Sequence, residues 1–218
     1  MATGQLEPVV RYLRNVAILR ADRAQTDGQL LERFITQQDE AAFALLVERH
    51  GPMVLGLCRR VLRDSHDAED AFQATFLVLF RRASAIQKRA SVSSWLFGVA
   101  WRTALRARER RARVRALELA ASIKTAASTP EPAWDDVAYM LDEEVSRLPE
   151  KYREPVVLCY LKGATYEEAA LQLGCPKGTV AIRLSRARER LRVSLTRRGV
   201  VMSAGVLTTT IADRKSVV

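Results

Sequence analysis

Residues 165–191, TYEEAALQLGCPKGTVAIRLSRARERL, restrict the fold more than any other part of the chain. Thr165 stands three residues before Glu168, the spacing at which a hydroxyl and a carboxylate cap one helix start reciprocally. The helix that follows has room for two or three turns, because Gly174 permits a turn and Pro176 suits the opening of a new helix. In that second helix Val180, Leu184, Ala187, Leu191 and Leu195 are spaced four, three, four and four residues apart, which predicts a single inward face. A short support helix, a Gly-Cys-Pro-Lys-Gly corner and a longer second helix have the form of a helix-turn-helix.

Charge then separates the two helices. Between Pro176 and Arg198 there are eight Lys or Arg residues against one acid, Glu189. Lys177, Thr179, Arg183, Arg186 and Arg190 fall on the outward side, with Arg188 and Arg192 flanking. A helix fits the DNA major groove, phosphates attract its charge, and side chains near its N-terminal half reach base edges. Lys177, Thr179, Arg183 and Arg186 are therefore the DNA-facing candidates, whereas Gly178, Ala181 and Ile182 cannot supply charged contacts. The whole chain leans the same way: 35 Lys and Arg against 25 Asp and Glu give a net charge of +10 over 218 residues. That excess favours a polyanionic partner and says nothing about fold. Arginine supplies most of it, and its planar donor fork suits phosphate and guanine edges.

The rest of the chain also reads as helix. From Glu40, Phe43, Leu46, Val47, Val54, Leu57, Cys58, Val61 and Leu62 recur mainly at helical spacing, with a bend or break expected at Gly51-Pro52. A second helix is predicted from Ser65 or His66, where Asp67, Glu69 and Asp70 favour the positive N-terminal end and Ala68, Phe72, Phe76 and Leu79 form a stripe. A third starts with Ser93 as cap and buries Trp95, Leu96, Val99, Ala100 and Leu105. Past Leu105 helix is expected without burial. From Arg102 to Arg115 seven arginines face one acid, Glu109, a strip able to grip phosphate. Trp95 and Trp101 beside it serve either as core or as an aromatic surface for opened bases.

Between Ala120 and Trp134 the periodicity is lost and Ser, Thr, Ala and two prolines gather, which marks a domain boundary. The expected fold is all-α, with two small helical domains joined by a linker. The divisions are a helical N-terminal extension over 1–38, a first domain over 39–115, a linker over 116–134, a helix-turn-helix domain over 135–198, and a tail over 199–218. Cys58, Cys159 and Cys175 are odd in number and lack zinc-motif spacing, so free thiols in a reducing, cytoplasmic setting are expected. No stretch approaches the roughly 20 apolar residues needed to span a bilayer, and the start has no signal-peptide pattern. No phosphate loop, nucleophile elbow or closed metal-ligand set is present, so no cofactor, metal or catalytic residue is expected. His50, His66, Asp64, Asp67, Glu69 and Asp70 could suggest a metal-dependent nuclease. Helix-start electrostatics and a protein-binding surface explain the same acids.

Two separated signatures, DSHDAEDAFQATFLVLFRR followed by a basic tryptophan-containing helix, and LPEKYREPVVLCYLKGATYEEAALQLGCPKGTVAIRLSRARERL, resemble the RNA polymerase sigma factors of the extracytoplasmic-function group. The resemblance runs from about Asp39 to Arg198, around three quarters of the chain. It implies an initiation subunit rather than an enzyme, with core RNA polymerase and promoter DNA as partners and an inhibitory anti-sigma protein as a further one. By the resemblance, Asp67, Glu69, Asp70, Gln73 and Phe76 lie on or beside the helix that binds the clamp of the largest polymerase subunit. Gln87, Lys88, Arg89, Ser91 and Ser93 belong to a loop that captures an extruded −10 base, and Trp95, Trp101, Arg102, Arg106 and Arg108 to the helix that meets the promoter. The second domain sets Lys177, Thr179, Arg183, Arg186 and Arg190 at the −35 element and contacts the polymerase flap through its apolar surface. The sequence departs from the family in a less acidic QKRASV loop, in Cys175 where a small hydroxyl residue is frequent, and in the apolar Ala181 and Ile182. A helix-turn-helix regulator that never joins polymerase is the alternative reading.

Overall fold

The computed structural model describes residues 25–86, 91–121 and 134–200. Among them every regular element is helical. Helix α1, Asp27–Gln37, begins with a capping box: Gln29 N donates to Thr26 Oγ1 at 3.2 Å and Thr26 N donates to Gln29 Oε1 at 2.8 Å. Leu30, Leu31 and Phe34 on α1 are buried, so this part of the expected N-terminal extension packs into the first domain. Helix α2, Glu40–Leu62, starts at Asp39, whose carboxylate accepts from Ala41 N at 3.0 Å and Ala42 N at 3.2 Å. It continues through Pro52, so of the bend or break expected there the break is absent. Pro52 and Glu48, whose carbonyl loses its helical donor, are both exposed, and solvent meets that loss.

Helix α3, Ser65–Arg82, is capped by Asp64, which accepts from Asp67 N at 3.1 Å. A single 3₁₀ turn, Ala83–Ala85, follows. Helix α4 spans Val92–Ala121, so Ser93 sits inside the helix rather than capping it, and the helix passes the expected linker start at 116. Residues 108–117 are exposed, in line with the forecast of helix without burial. Helix α2 lies at the centre, against α1, α3 and α4, with Val54, Leu57, Cys58, Leu96, Phe97 and Ala100 in the core. By length and composition α2 could also cross a membrane, but its apolar positions instead form the middle of this core.

The second domain has helices α5, Trp134–Arg147, and α6, Glu150–Val156, which continues into a π turn over Val157–Leu161. Helices α7, Tyr166–Leu173, and α8, Lys177–Arg197, complete it. Its core joins Leu141, Val145, Tyr152, Val156 and Leu158 to Ala169, Val180, Leu184, Leu191 and Leu195.

The two domains pack against each other through polar contacts. Arg60 Nε donates to Asp142 Oδ2 at 2.7 Å, and Asp142 is fully buried. Arg153 Nε donates to Ser94 Oγ at 3.1 Å, Ser91 donates to Glu154, and Arg63 pairs with Asp136. Charged groups enter a closed contact only where partners offset the loss of water.

One such cluster carries a pH dependence. Asp27, 5% exposed, takes Lys162 Nζ of the second domain at 3.1 Å on Oδ2 and Arg49 Nη1 at 3.1 Å on Oδ1. His50 Nε2 lies 3.0 Å from the same carboxylate but off hydrogen-bond geometry. Burial alone would raise the Asp27 carboxyl, yet His50 and Lys162 outweigh it and hold it well below the ordinary range. Burial, against the weaker pull of Asp27, pushes the His50 imidazole below its usual 6.5. The unfolded chain thus takes up a proton on His50 that the folded chain refuses as pH falls through that value. Stability is complete above about pH 6.5 and falls below it by at most about 1.4 kcal/mol per pH unit. Asp27 adds a loss of the same sign only below about pH 4, its unfolded value. The urea midpoint is expected to drop between pH 7 and pH 5, and His50→Gln to flatten that drop. An equally steep profile in the variant would place the titration elsewhere.

Candidate nucleic-acid interface

The support helix and the basic helix are held as their sequences require. Glu168 N donates to Thr165 Oγ1 at 3.2 Å and Thr165 N donates to Glu168 Oε2 at 2.8 Å, closing the expected capping box. Gly174 ends α7 with φ 60°, a left-handed conformation in which a β-carbon would be strained. Pro176 occupies the cap position of α8 and offers no side-chain bond, so Lys177 is the first helical residue. Val180, Leu184, Ala187, Leu191 and Leu195 are all buried, as their spacing predicts.

On the opposite side Lys177, Arg186 and Arg190 are exposed, while Thr179 and Arg183 are half-buried. Several of these cations are braced. Lys177 pairs with Glu167 and holds that carboxyl below its ordinary range. The Arg186 guanidinium holds the Tyr152 hydroxyl below its ordinary range, and the Arg190 guanidinium lies 5.0 Å from the centre of the Tyr152 ring. Arg192 pairs with Glu189 at 2.7 Å. Helix α8 therefore presents positive charge on a framework that orders it in advance.

A second surface lies on α3. Glu69, Asp70 and Gln73 are exposed, and the helical repeat puts them on one face with Leu77, 48% exposed, and Phe80, 51% exposed. Asp67 departs from that set, because Arg111 binds both Asp67 and Asp64, the latter at 3.1 Å. Phe76 turns inward, 6% exposed, with its ring 5.0 Å from Phe72 in an edge-on contact. As a surface contact Phe76 is thus corrected: it belongs to the stripe with Ala68, Phe72 and Leu79. Leu77 and Phe80 are the apolar residues that stripe leaves out, and their offset from it was the available signal.

The candidates on α4 divide. Arg102, Arg106 and Arg108 are exposed and Trp95 is half-buried. Ser91 is buried against Glu154, and Ser93 is 1% exposed with no hydrogen-bond partner for its Oγ. Trp101 is 7% exposed, its ring 5.4 Å from Tyr139, and Arg108 caps the same Tyr139 ring at 4.3 Å. As open surface in this arrangement Ser91, Ser93 and Trp101 are corrected: all three are buried, Ser91 and Trp101 against Glu154 and Tyr139 of the second domain. Gln87, Lys88 and Arg89 lie outside the described residues.

Two of the three thiols are unreactive. Burial pushes the Cys58 thiol up to about 12 and the Cys159 thiol up to about 11, so neither is a thiolate near neutrality. Among the described residues no three His, Cys, Asp or Glu side chains gather around a site for a metal ion. His50 belongs to the Asp27 cluster, and Asp64 and Asp67 share Arg111.

Residues 46–114 match the family described as Sigma-70 region 2, and residues 139–191 match Sigma-70, region 4. The RNA polymerase sigma-H factor of Pseudomonas aeruginosa is 33% identical over 184 residues, covering 78% of this chain and 94% of that protein. The ECF RNA polymerase sigma factor SigM of Mycobacterium tuberculosis is 32% identical, covering 77% of this chain and 83% of its own. The chain belongs to the extracytoplasmic-function group of sigma-70 factors. ECF sigma factor SigW of Bacillus subtilis is a further relative of this sigma factor, 28% identical over 74% of the chain and 92% of the relative. A solved structure of CnrH in complex with the cytosolic domain of CnrY is 25% identical over 79% of this chain and 99% of that one, with a TM-score of 0.39. As a sigma factor the protein directs transcription to promoters. The match of the first domain to region 2 disfavours a regulator that works apart from polymerase.

Proposed function

We propose that this sigma factor joins core RNA polymerase through α3 and reads promoters with both domains, acting in the cytoplasm. Glu69, Asp70, Gln73, Leu77 and Phe80 dock on the clamp of the largest subunit, and the second domain meets the flap. Lys177, Thr179, Arg183, Arg186 and Arg190 on α8 bind the −35 duplex. The basic strip of α4, with Trp95 and the 87–93 segment, opens and holds the −10 element. Extruding a base costs a few kcal/mol, which a formed pocket and flanking phosphate contacts offset. Ser91 and Trp101 lie against Glu154 and Tyr139 of the second domain, so their use on the −10 strand requires the two domains to part.

One observation carries this reading. A single chain presents an exposed acidic and apolar stripe on the first domain and a braced basic helix-turn-helix on the second, in the order of regions 2 and 4. In vitro transcription with core polymerase over a randomised promoter library tests it. Added protein should turn core enzyme into one that starts only at a recurring −35/−10 pair. Core polymerase that gains no promoter choice from the protein would overturn it.

A further inference from the structure

Ile182 is the one residue on the reading face of α8 that neither charge nor core packing explains. It is 56% exposed, whereas Val180, Leu184, Leu191 and Leu195 on the same helix are all buried. It lies two positions from Val180 on one side and two from Leu184 on the other, and at about 100° per residue it points almost directly away from the core. Its neighbours one turn away leave it clear. A β-carbon at Gly178 would meet nothing within 4 Å, Ser185 is small and exposed, and Arg186 is drawn to Tyr152. The Ile182 methyl groups therefore stand uncovered at the centre of a basic face, one turn and a half from the start of the helix.

A large apolar group left in water there forgoes burial worth having. In the major groove one base-edge feature can cover it: of the four bases only thymine presents an apolar group, its 5-methyl. Resting on the reading of α8 as the −35 helix, we propose that Ile182 packs against a thymine 5-methyl group and sets a thymine requirement at one −35 position. The flanking cations fix the helix on the phosphates, and Ile182 selects among sequences. Its shape suits a methyl contact, since a β-branched side chain has one strongly preferred rotamer in a helix and loses little freedom on docking.

The test uses holoenzyme assembled from the full chain and a promoter selected from the randomised library. Each thymine of the −35 duplex, on either strand, is replaced singly by deoxyuridine, which removes only the 5-methyl group. At one position deoxyuridine should weaken wild-type binding about fourfold, the effect of one methyl leaving an apolar contact for water. Ile182→Ala should bind the thymine duplex about as weakly as wild type binds the deoxyuridine duplex or more weakly, and should no longer distinguish the two at that position. Its slope of log K against log salt should match wild type, because no phosphate contact is lost, whereas Arg183→Ala should reduce the slope. Equal wild-type binding to all deoxyuridine duplexes, or the same discrimination in Ile182→Ala, overturns the proposal while leaving the −35 role of α8 intact. Holoenzyme that retains no promoter at all overturns both.

Discussion

Replacing Arg60 by methionine should loosen the contact between the two domains by about 3 kcal/mol, the lower end of the cost of removing one partner from a buried ion pair. The pair lies at 2.7 Å, with Asp142 fully buried and Arg60 17% exposed. Methionine keeps much of the packing volume but leaves the Asp142 carboxylate under the interface without this guanidinium. Separation of the domains returns that carboxylate to water, so the chain relieves the cost by opening rather than by unfolding either core. A change of about 3 kcal/mol moves the closed-to-open ratio roughly a hundredfold. The radius of gyration from small-angle scattering should grow, and a single urea transition should split in two. Because Ser91 and Trp101 are covered by the second domain in the closed form, Arg60→Met should also assemble with core polymerase and melt promoter DNA faster than wild type. An unchanged scattering profile with a uniformly lowered midpoint would mean that the pair supports the first domain alone.

The double reversal Glu69→Lys, Asp70→Lys has the second large effect. Both side chains are exposed on α3, beside Leu77 and Phe80, and neither belongs to the core. Placing like charges across a docked surface costs several kcal/mol, so affinity for core polymerase should fall on the order of a hundredfold or more. Helix content and the urea midpoint should stay close to wild type. Phe80→Ala should act through the same surface, although Phe80 also touches Phe34 and Phe43, at ring separations of 5.3 and 5.6 Å. Phe76→Ala would instead open a cavity in the core and cost about 3 kcal/mol or more of stability before any effect on assembly could be read. Core polymerase that binds the double reversal as tightly as wild type would remove α3 from the docking surface.

Helices, caps and the inward faces were legible in the sequence because they depend on residues within one or two turns of each other. The Thr165–Glu168 box, the left-handed stop at Gly174 and the apolar repeat from Val180 to Leu195 are local, and the structure repeats them. The basic outward face of α8 was legible for the same reason. The misplaced details were close decisions about neighbours: Pro52 sits where exposure makes its missing hydrogen bond tolerable, and α4 opens at Val92, one residue before the expected Ser93 cap.

What passes between the two domains was not legible, because no periodicity couples residues 82 or 135 positions apart. Arg60 with Asp142 and Asp27 with Lys162 look in sequence like ordinary surface charges, and only the closed packing makes them buried partners. The same packing decides that Trp101 lies under Tyr139 while Arg102 stays in water. Local chemistry determined two helical units and the charged faces they carry. Long-range burial, which trades water for one specific partner at each buried charge, decided which of those faces are open.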